Sequence, residues 1–158
     1  MSKASLTIRT ATAADEPAAA KLADEVYAAL RSIYRPTEMA QSSGHQLQSK
    51  LERLVAFDGT ELAGTVKFFI EQGSLRVIGL AVGEQHRRRG TARDLIEELI
   101  RIARDRGATS LSLYSVPAAG AVPFYERLGF RIVRECEEGY FETPTGEPVP
   151  EVFLERSI

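Results

Sequence analysis

The apolar positions of this chain change period in step with its turn residues, and that rhythm lays out the elements. The clearest stretch runs from 75 to 107. Val77-Ile78-Gly79-Leu80-Ala81-Val82 is a short apolar run of the kind that forms a buried strand. Ala92, Leu95, Ile96, Leu99, Ile100 and Ala103 then recur at helical spacing, one face of an amphipathic helix over 91–106 with Gly107 as its C-cap. Residues 5–10 alternate apolar and polar, as an opening strand does. Thr12 and Asp15 have capping-box spacing, but Pro17 would then lie too deep in the helix. A start near Asp15, with Pro17 in the first turn, fits better; Leu22, Val26, Ala29, Leu30 and Ile33 form its apolar face, and Pro36 blocks continuation. A more polar helix is expected over 38–52. Strands over 53–58 and 62–71 flank a turn at Asp58-Gly59-Thr60-Glu61, and Glu71-Gln72-Gly73-Ser74 turns the chain into a strand over 75–82. Residues 109–116 read as a strand and 118–128 as a shorter helix closed by Gly129. Residues 130–137 and 151–156 read as a final strand pair, with 143–148 as an exposed loop between them. The order β-α-α-β-β-β-α-β-α-β-β predicts an α+β fold with a mixed sheet, and no repeat or low-complexity tract divides residues 1–158 into more than one domain.

Composition narrows the function classes. Hydrophobic residues make up 44% and charged residues 27%, the balance of an ordinary globular protein. A chain of 158 residues can bury roughly two-thirds of its unfolded surface. A formal net charge of −2 argues against a general nucleic-acid binder. No apolar run approaches the roughly 18 residues of a membrane span, and the first residues, Met1 to Leu6, lack the apolar core of a secretory signal. Cys136 is the one cysteine, so no internal disulfide forms and a reducing, cytoplasmic setting is expected. With only His45 and His86 and no cysteine cluster, no metal site is expected. Cys136 reads as a small strand residue rather than a nucleophile. Both histidines read as surface residues, although His86 could also touch a ligand or assist proton removal.

Positive charge is concentrated at one place. Arg87-Arg88-Arg89-Gly90-Thr91-Ala92 joins the 75–82 strand to the 91–106 helix. A helix N-terminus offers unpaired backbone N–H groups and the positive end of the helix dipole, so a phosphate or pyrophosphate suits it. Gly90 lets the backbone approach the ligand, and small Thr91 and Ala92 keep the opening clear. The arginines add charge around it. On composition alone the same arginines would read as a solvated turn; the strand-turn-helix context favours an anion site.

Two segments resemble one known family. Leu80-Ala81-Val82 followed by Arg87-x-x-Gly90-x-Ala92 is similar to the signature of the GNAT superfamily of acetyl-CoA-dependent N-acetyltransferases, in which Gln or Arg precedes x-x-Gly-x and then Gly or Ala. Ala121-Val122-Pro123-Phe124-Tyr125-Glu126-Arg127-Leu128-Gly129-Phe130 resembles the family's helix ending in Tyr-x-x-x-Gly-Phe. The element order matches over essentially the whole chain. The resemblance implies a mixed, mostly antiparallel sheet flanked by about four helices, with acetyl-CoA as co-substrate and no metal. It implies that the backbone of Leu80, Ala81 and Val82 pairs with the pantetheine amides as though the cofactor extended the sheet. It further implies that amides from Arg88 through Arg93 hold the pyrophosphate, with side chains of the Arg87 to Arg89 run reaching the other phosphate. A backbone N–H near Val82 would polarise the thioester carbonyl, and Tyr125 would hydrogen-bond or protonate the sulfur. Without that setting Tyr125 would read as a packing residue.

The implied reaction is transfer of an acetyl group to a primary amine of a small molecule, amino acid or peptide, by direct attack in a ternary complex. Another acyl donor, an alcohol acceptor, or a non-catalytic acyl-CoA sensor are the alternatives. A homodimer through the last strands is implied by resemblance alone. Two departures from the family pattern stand out. Ala118 occupies the place of a frequent asparagine, and the 75–82 and 109–116 strands carry no Asp or Glu. The general base is therefore open between a water chain, Glu84 and Glu71. For the acceptor, the resemblance points to Tyr27, Arg31, Tyr34 and Arg35 on one side and to Glu137, Glu138, Tyr140, Phe141 and Glu142 on the other. Arg31 or Arg35 could pair with a carboxylate, and the acidic stretch could attract an amine; each cluster could equally be a solvated face.

Overall fold

The computed structural model describes residues 6–43, 50–137 and 139–158. Its strands are β1 (Leu6–Thr10), β2 (Arg35–Pro36), β3 (Glu52–Asp58), β4 (Glu61–Glu71), β5 (Ser74–Val82), β6 (Ser110–Ser115), β7 (Arg131–Cys136), β8 (Phe141–Glu142) and β9 (Glu151–Ser157). Its helices are α1 (Glu16–Ala28), α2 (Glu38–Ser43), α3 (Thr91–Asp105) and α4 (Val122–Arg127). One seven-stranded sheet has the order β1-β3-β4-β5-β6-β9-β7, and β2 pairs with β8 in a separate ribbon. Every pairing is antiparallel except β5 with β6. This is the mixed, mostly antiparallel α+β architecture that the sequence predicts.

The amphipathic period of α3 is used in full. Leu95, Ile96, Leu99, Ile100 and Ala103 are all buried, and they share one core with Leu54 of β3, Val66 and Phe68 of β4, and Leu75 and Val77 of β5. Burying each such aliphatic side chain stabilises the fold by about 1.5–3 kcal/mol. Gly107, at φ 79°, follows the helix as expected, and Ala108 N–H donates to the Ala103 carbonyl at 2.8 Å.

The opposite face of the sheet is less tightly covered, and here the structure corrects several expectations. Thr12 N–H does reach the Asp15 carboxylate at 2.7 Å, but this box closes a single 3-10 turn, Ala13–Asp15, that runs into α1 with Pro17 in its first turn. The helix ends at Ala28, so Ala29, Leu30 and Ile33 of the expected apolar face lie beyond it, and Ile33 is 38% exposed. The cause lies downstream. Pro36 disfavours helix in the residue before it, and Arg35 and Pro36 pair instead with Glu142 and Phe141. Tyr34, the next residue back, packs its ring edge-on against Phe141 at 5.1 Å. The helix expected over 38–52 is shorter, since α2 ends at Ser43 and β3 already begins at Glu52; residues 44–49 lie outside the described residues. The helix expected over 118–128 is split into a 3-10 turn, Pro117–Ala119, and α4, because Gly120 adopts φ 88° between them. The final strands do pair, and β9 also pairs with β6 along its other edge.

The feature that shapes the site is the parting of β5 and β6. Only Ser74, Leu75 and Arg76 pair with β6, opposite Ser110, Leu111 and Ser112. Beyond Arg76, Val77–Val82 has β4 on one side and, among the described residues, no strand on the other. On the β4 side Thr65 faces Ala81 and Lys67 faces Ile78, so Gly79 and Leu80 together oppose Val66. Gly79 sits at φ 64°, the glycine-type bulge that bends and twists a strand. Next to it, Gly64 lets the start of α3 settle on the sheet. A Cβ there would lie 3.1 Å from the Ala81 carbonyl oxygen and from Thr91 Cγ2, and 3.2 Å from Leu95 Cδ1. Gly64→Ala is expected to destabilise the fold by about 1–3 kcal/mol through this overpacking, read as a lower urea midpoint; an unchanged midpoint would contradict the close contact.

Candidate active site

On the free side of β5 backbone carbonyls are met by side chains, and the turn that follows carries the exposed arginines. The Leu80 carbonyl accepts a hydrogen bond from the Tyr27 hydroxyl at 2.9 Å, and the Val82 carbonyl accepts one from Arg87 Nε–H at 3.3 Å. Ala81, between them, pairs with Thr65 of β4. Two carbonyls of the segment are thus met by side chains rather than by a neighbouring strand. After Gly83 a 3-10 turn, Glu84–His86, leads into the basic run. Arg88 holds φ 63° and Gly90 φ 81°. A non-glycine residue in that region costs about 1–2 kcal/mol, the kind of strain that gathers at binding loops. The N-cap of α3 is Gly90, which has no side chain to cap the first turn, and early helix amides such as those of Thr91, Ala92 and Arg93 suit an anion.

The charged side chains are arranged unevenly. Arg87, Arg88, Arg89 and Arg93 are exposed. Arg89 lies 3.5 Å from Asp58 and Arg93 3.1 Å from Glu97. The Thr91 side chain is buried against β4, with its hydroxyl 3.4 Å from the His86 carbonyl. His86 departs from expectation. The short turn folds its ring inward beside Gly83, leaving it 6% exposed, with Nδ1 3.9 Å from Asp58 and Nε2 3.7 Å from Glu61. It is a buried residue behind the turn, not a surface one.

A cavity of about 520 Å³ lies where the sheet parts, between α1, β5, β6 and α4. Gly79 and Leu80 line it together with Tyr125. The Tyr125 ring packs edge-on against Phe124 and Phe130, at 5.2 Å and 5.7 Å, and burial pushes its hydroxyl up to about 12 from the ordinary value of 10.0. Burial also raises the Tyr27 hydroxyl, with the neighbouring Tyr125 adding to the effect. Both phenols are therefore protonated donors across the neutral range.

Of the acceptor-side residues expected from the sequence, Tyr27, Arg31, Tyr34, Tyr140 and Phe141 do line the cavity. Arg35 and Glu142 do not; they pair with each other at 2.7 Å on the β2–β8 ribbon, which takes Arg35 out of contention for a substrate carboxylate. Glu137 is exposed, and Glu138 lies outside the described residues, as does His45. Neither suggested base reaches the cavity: Glu71 ends β4, and Glu84 stands exposed on the turn after β5. Cys136 is buried at the end of β7. Among the described residues no three metal-ligating side chains cluster, and no helix is long and apolar enough to cross a membrane. Sequence reasoning missed Arg76 and Glu151, which line the cavity. An arginine between Leu75 and Val77 in an otherwise apolar strand was a readable signal; Glu151, at the start of a short strand, carried none.

Comparison with known proteins fits this arrangement. A sequence profile of the Acetyltransferase (GNAT) family matches residues 18–130. The chain is 28% identical over 98 residues to the uncharacterized N-acetyltransferase YjcF of Bacillus subtilis, a match over 62% of this chain and 69% of that protein. The fold is similar to that of the ribosomal-protein-S18-alanine N-acetyltransferase from Escherichia coli, with a TM-score of 0.77 at 21% identity over 98% of this chain and 94% of that one. A GNAT family acetyltransferase from Elizabethkingia anophelis, solved with acetyl-CoA bound, gives 0.74 at 17% identity over 97% and 98%. The matched profile takes in both the basic turn after β5 and the tyrosine of α4, and the chain belongs to the GNAT family of acetyl-CoA-dependent acetyltransferases.

Proposed function

We propose that this enzyme transfers the acetyl group to a primary amine of a small molecule, amino acid or peptide by direct attack in a ternary complex. The observation that carries the proposal is that the unpaired edge of β5 at Gly79 and Leu80 opens onto the same cavity as the protonated Tyr125 hydroxyl. Acetyl-CoA supplies an activated acyl group as its thioester. The residues present suit such a donor. An extended chain of amides needs a backbone edge without a strand on it, and Val77–Val82 offers one. A pyrophosphate needs open amides and positive charge, which the Arg88-to-Gly90 turn and the uncapped start of α3 offer.

In this reading Leu80, Ala81 and Val82 hold the pantetheine amides, in exchange for the contacts that Tyr27 and Arg87 make with two of those carbonyls. The side chains of Arg87, Arg88 and Arg89, and the amides of Gly90, Thr91, Ala92 and Arg93, hold the phosphates. Tyr125 gives its proton to the leaving sulfur. Its apolar surroundings serve that role, since desolvation keeps the phenol protonated until an electron-rich sulfur needs it. Direct attack suits the lining: Cys136 is not part of it, the lining serine, Ser115, has no histidine beside it among the lining residues to act as its base, and positioning two reactants side by side is itself a large rate factor.

Tyr125→Phe is expected to lower kcat about 100-fold, in an assay of free thiol released from acetyl-CoA, with acetyl-CoA affinity unchanged by calorimetry. An unchanged kcat would remove the proton-donor role. The raised value also fixes the sign of a pH effect. A phenol that stays protonated above its ordinary value of 10.0 is lost as a donor only as pH rises through about 12. The tyrosinate absorbance missing from the Tyr125→Phe variant should accordingly rise near pH 12; a missing component at or below pH 10 would contradict the desolvated site.

A further inference from the structure

Among the described residues that line the cavity, positive charge exceeds negative: Arg76 of β5 and Arg31 of the turn after α1, against one carboxylate, Glu151. Among the described residues neither arginine has a carboxylate within ion-pair distance, although the other cavity-side arginine expected from the sequence, Arg35, is paired with Glu142. Arg76 is also held rigidly. Its guanidinium lies 4.9 Å from the centre of the Tyr114 ring, 5.3 Å from Phe153 and 5.9 Å from Phe69, and its Nε–H donates to Ser112 Oγ at 3.0 Å. That bond uses one of the five N–H donors of the group, and the fork of terminal nitrogens matches a carboxylate bidentately. Stacked rings exclude water and strengthen any charge-assisted bond made there. Arg31 stacks more loosely over Tyr34, at 5.7 Å, on the exposed side.

Resting on the acetyl transfer proposed above, we infer that the acceptor is an amine with an apolar or aromatic body that also bears a carboxylate, which Arg76 recognises with Arg31 as its second cation. A polyamine or a basic peptide would bring further positive charge toward two guanidiniums. A protein N-terminus would present a neutral amide where a free amino acid presents its carboxylate, leaving Arg76 unmatched. The aromatic walls from Phe69, Tyr114 and Phe141 suit the apolar body. Arg76 thus selects the substrate without touching the reacting atoms.

The test measures kcat/KM for phenylalanine and 6-aminohexanoate, for their amides, for 2-phenylethylamine and for a short neutral peptide. The acids should exceed their amides by about 10- to 100-fold, chiefly through KM. Amine basicity cannot produce that order, because an α-amino amide is less basic than its amino acid and so has more of the reactive neutral amine. Arg76→Gln should raise KM for the acids and bring them toward the level of the amides, and Arg31→Gln should do so to a smaller extent. The wild-type comparison stands on its own should the Arg76 variant fold poorly. Equal or faster turnover of amides, of 2-phenylethylamine or of the peptide would overturn the inference. So would acetyl-CoA binding without turnover of either acid, which leaves the donor site standing. A chain that binds no acetyl-CoA at all would overturn the transfer reading itself and this inference with it.

Discussion

Parallel pairing between β5 and β6 lasts for Ser74 to Arg76 and then stops, and the proposed donor and acceptor sites lie beyond that point. A backbone strand that loses its neighbour keeps its N–H and C=O groups, and those groups need partners. Here side chains reach in from α1 and from the basic turn to meet two of the carbonyls. The glycine bulge at Gly79 adds a local twist where the edge comes free, and Gly64 lets the start of α3 close over the neighbouring strand. One discontinuity in the sheet therefore sets out an extended backbone edge, a helix N-terminus beyond its end and a cavity beside it.

The two faces of the sheet do different work. Under α3 the core is closed, with leucine and isoleucine side chains fully buried against β3, β4 and β5. Under α1 it is not: of that helix only Ala19 is buried, and Val26 and Tyr27 face a cavity. The stability supplied by the closed face permits the open one. Desolvation on the open side raises the Tyr125 and Tyr27 hydroxyls, and Arg76 lies against the Tyr114 ring.

What could be read from the chain follows from range. The period of α3, the Asp-Gly turn before β4 and the strand-turn-helix setting of Arg87 to Gly90 are local patterns, and the structure has the elements they predict. Long-range pairings left no such trace. The β2–β8 ribbon joins residues more than a hundred positions apart through two-residue strands, too short to show alternation, yet it ends the α1 region and occupies Arg35. Burial of His86 and Thr91 depends on how one turn folds back over β4, which their own neighbours do not encode. Glu151 enters the cavity because β9 is placed beside β6, a choice made by the whole sheet.

In the proposed complex the donor lies along the free edge of β5 and over the start of α3, with its reactive end in the cavity of Tyr125. Backbone hydrogen exchange with and without acetyl-CoA maps where it binds. Slowed exchange is expected at residues 78–82 and 88–93, with the far strands β1 and β7 unchanged. Protection centred elsewhere, or none in these two segments at saturating acetyl-CoA, would contradict it.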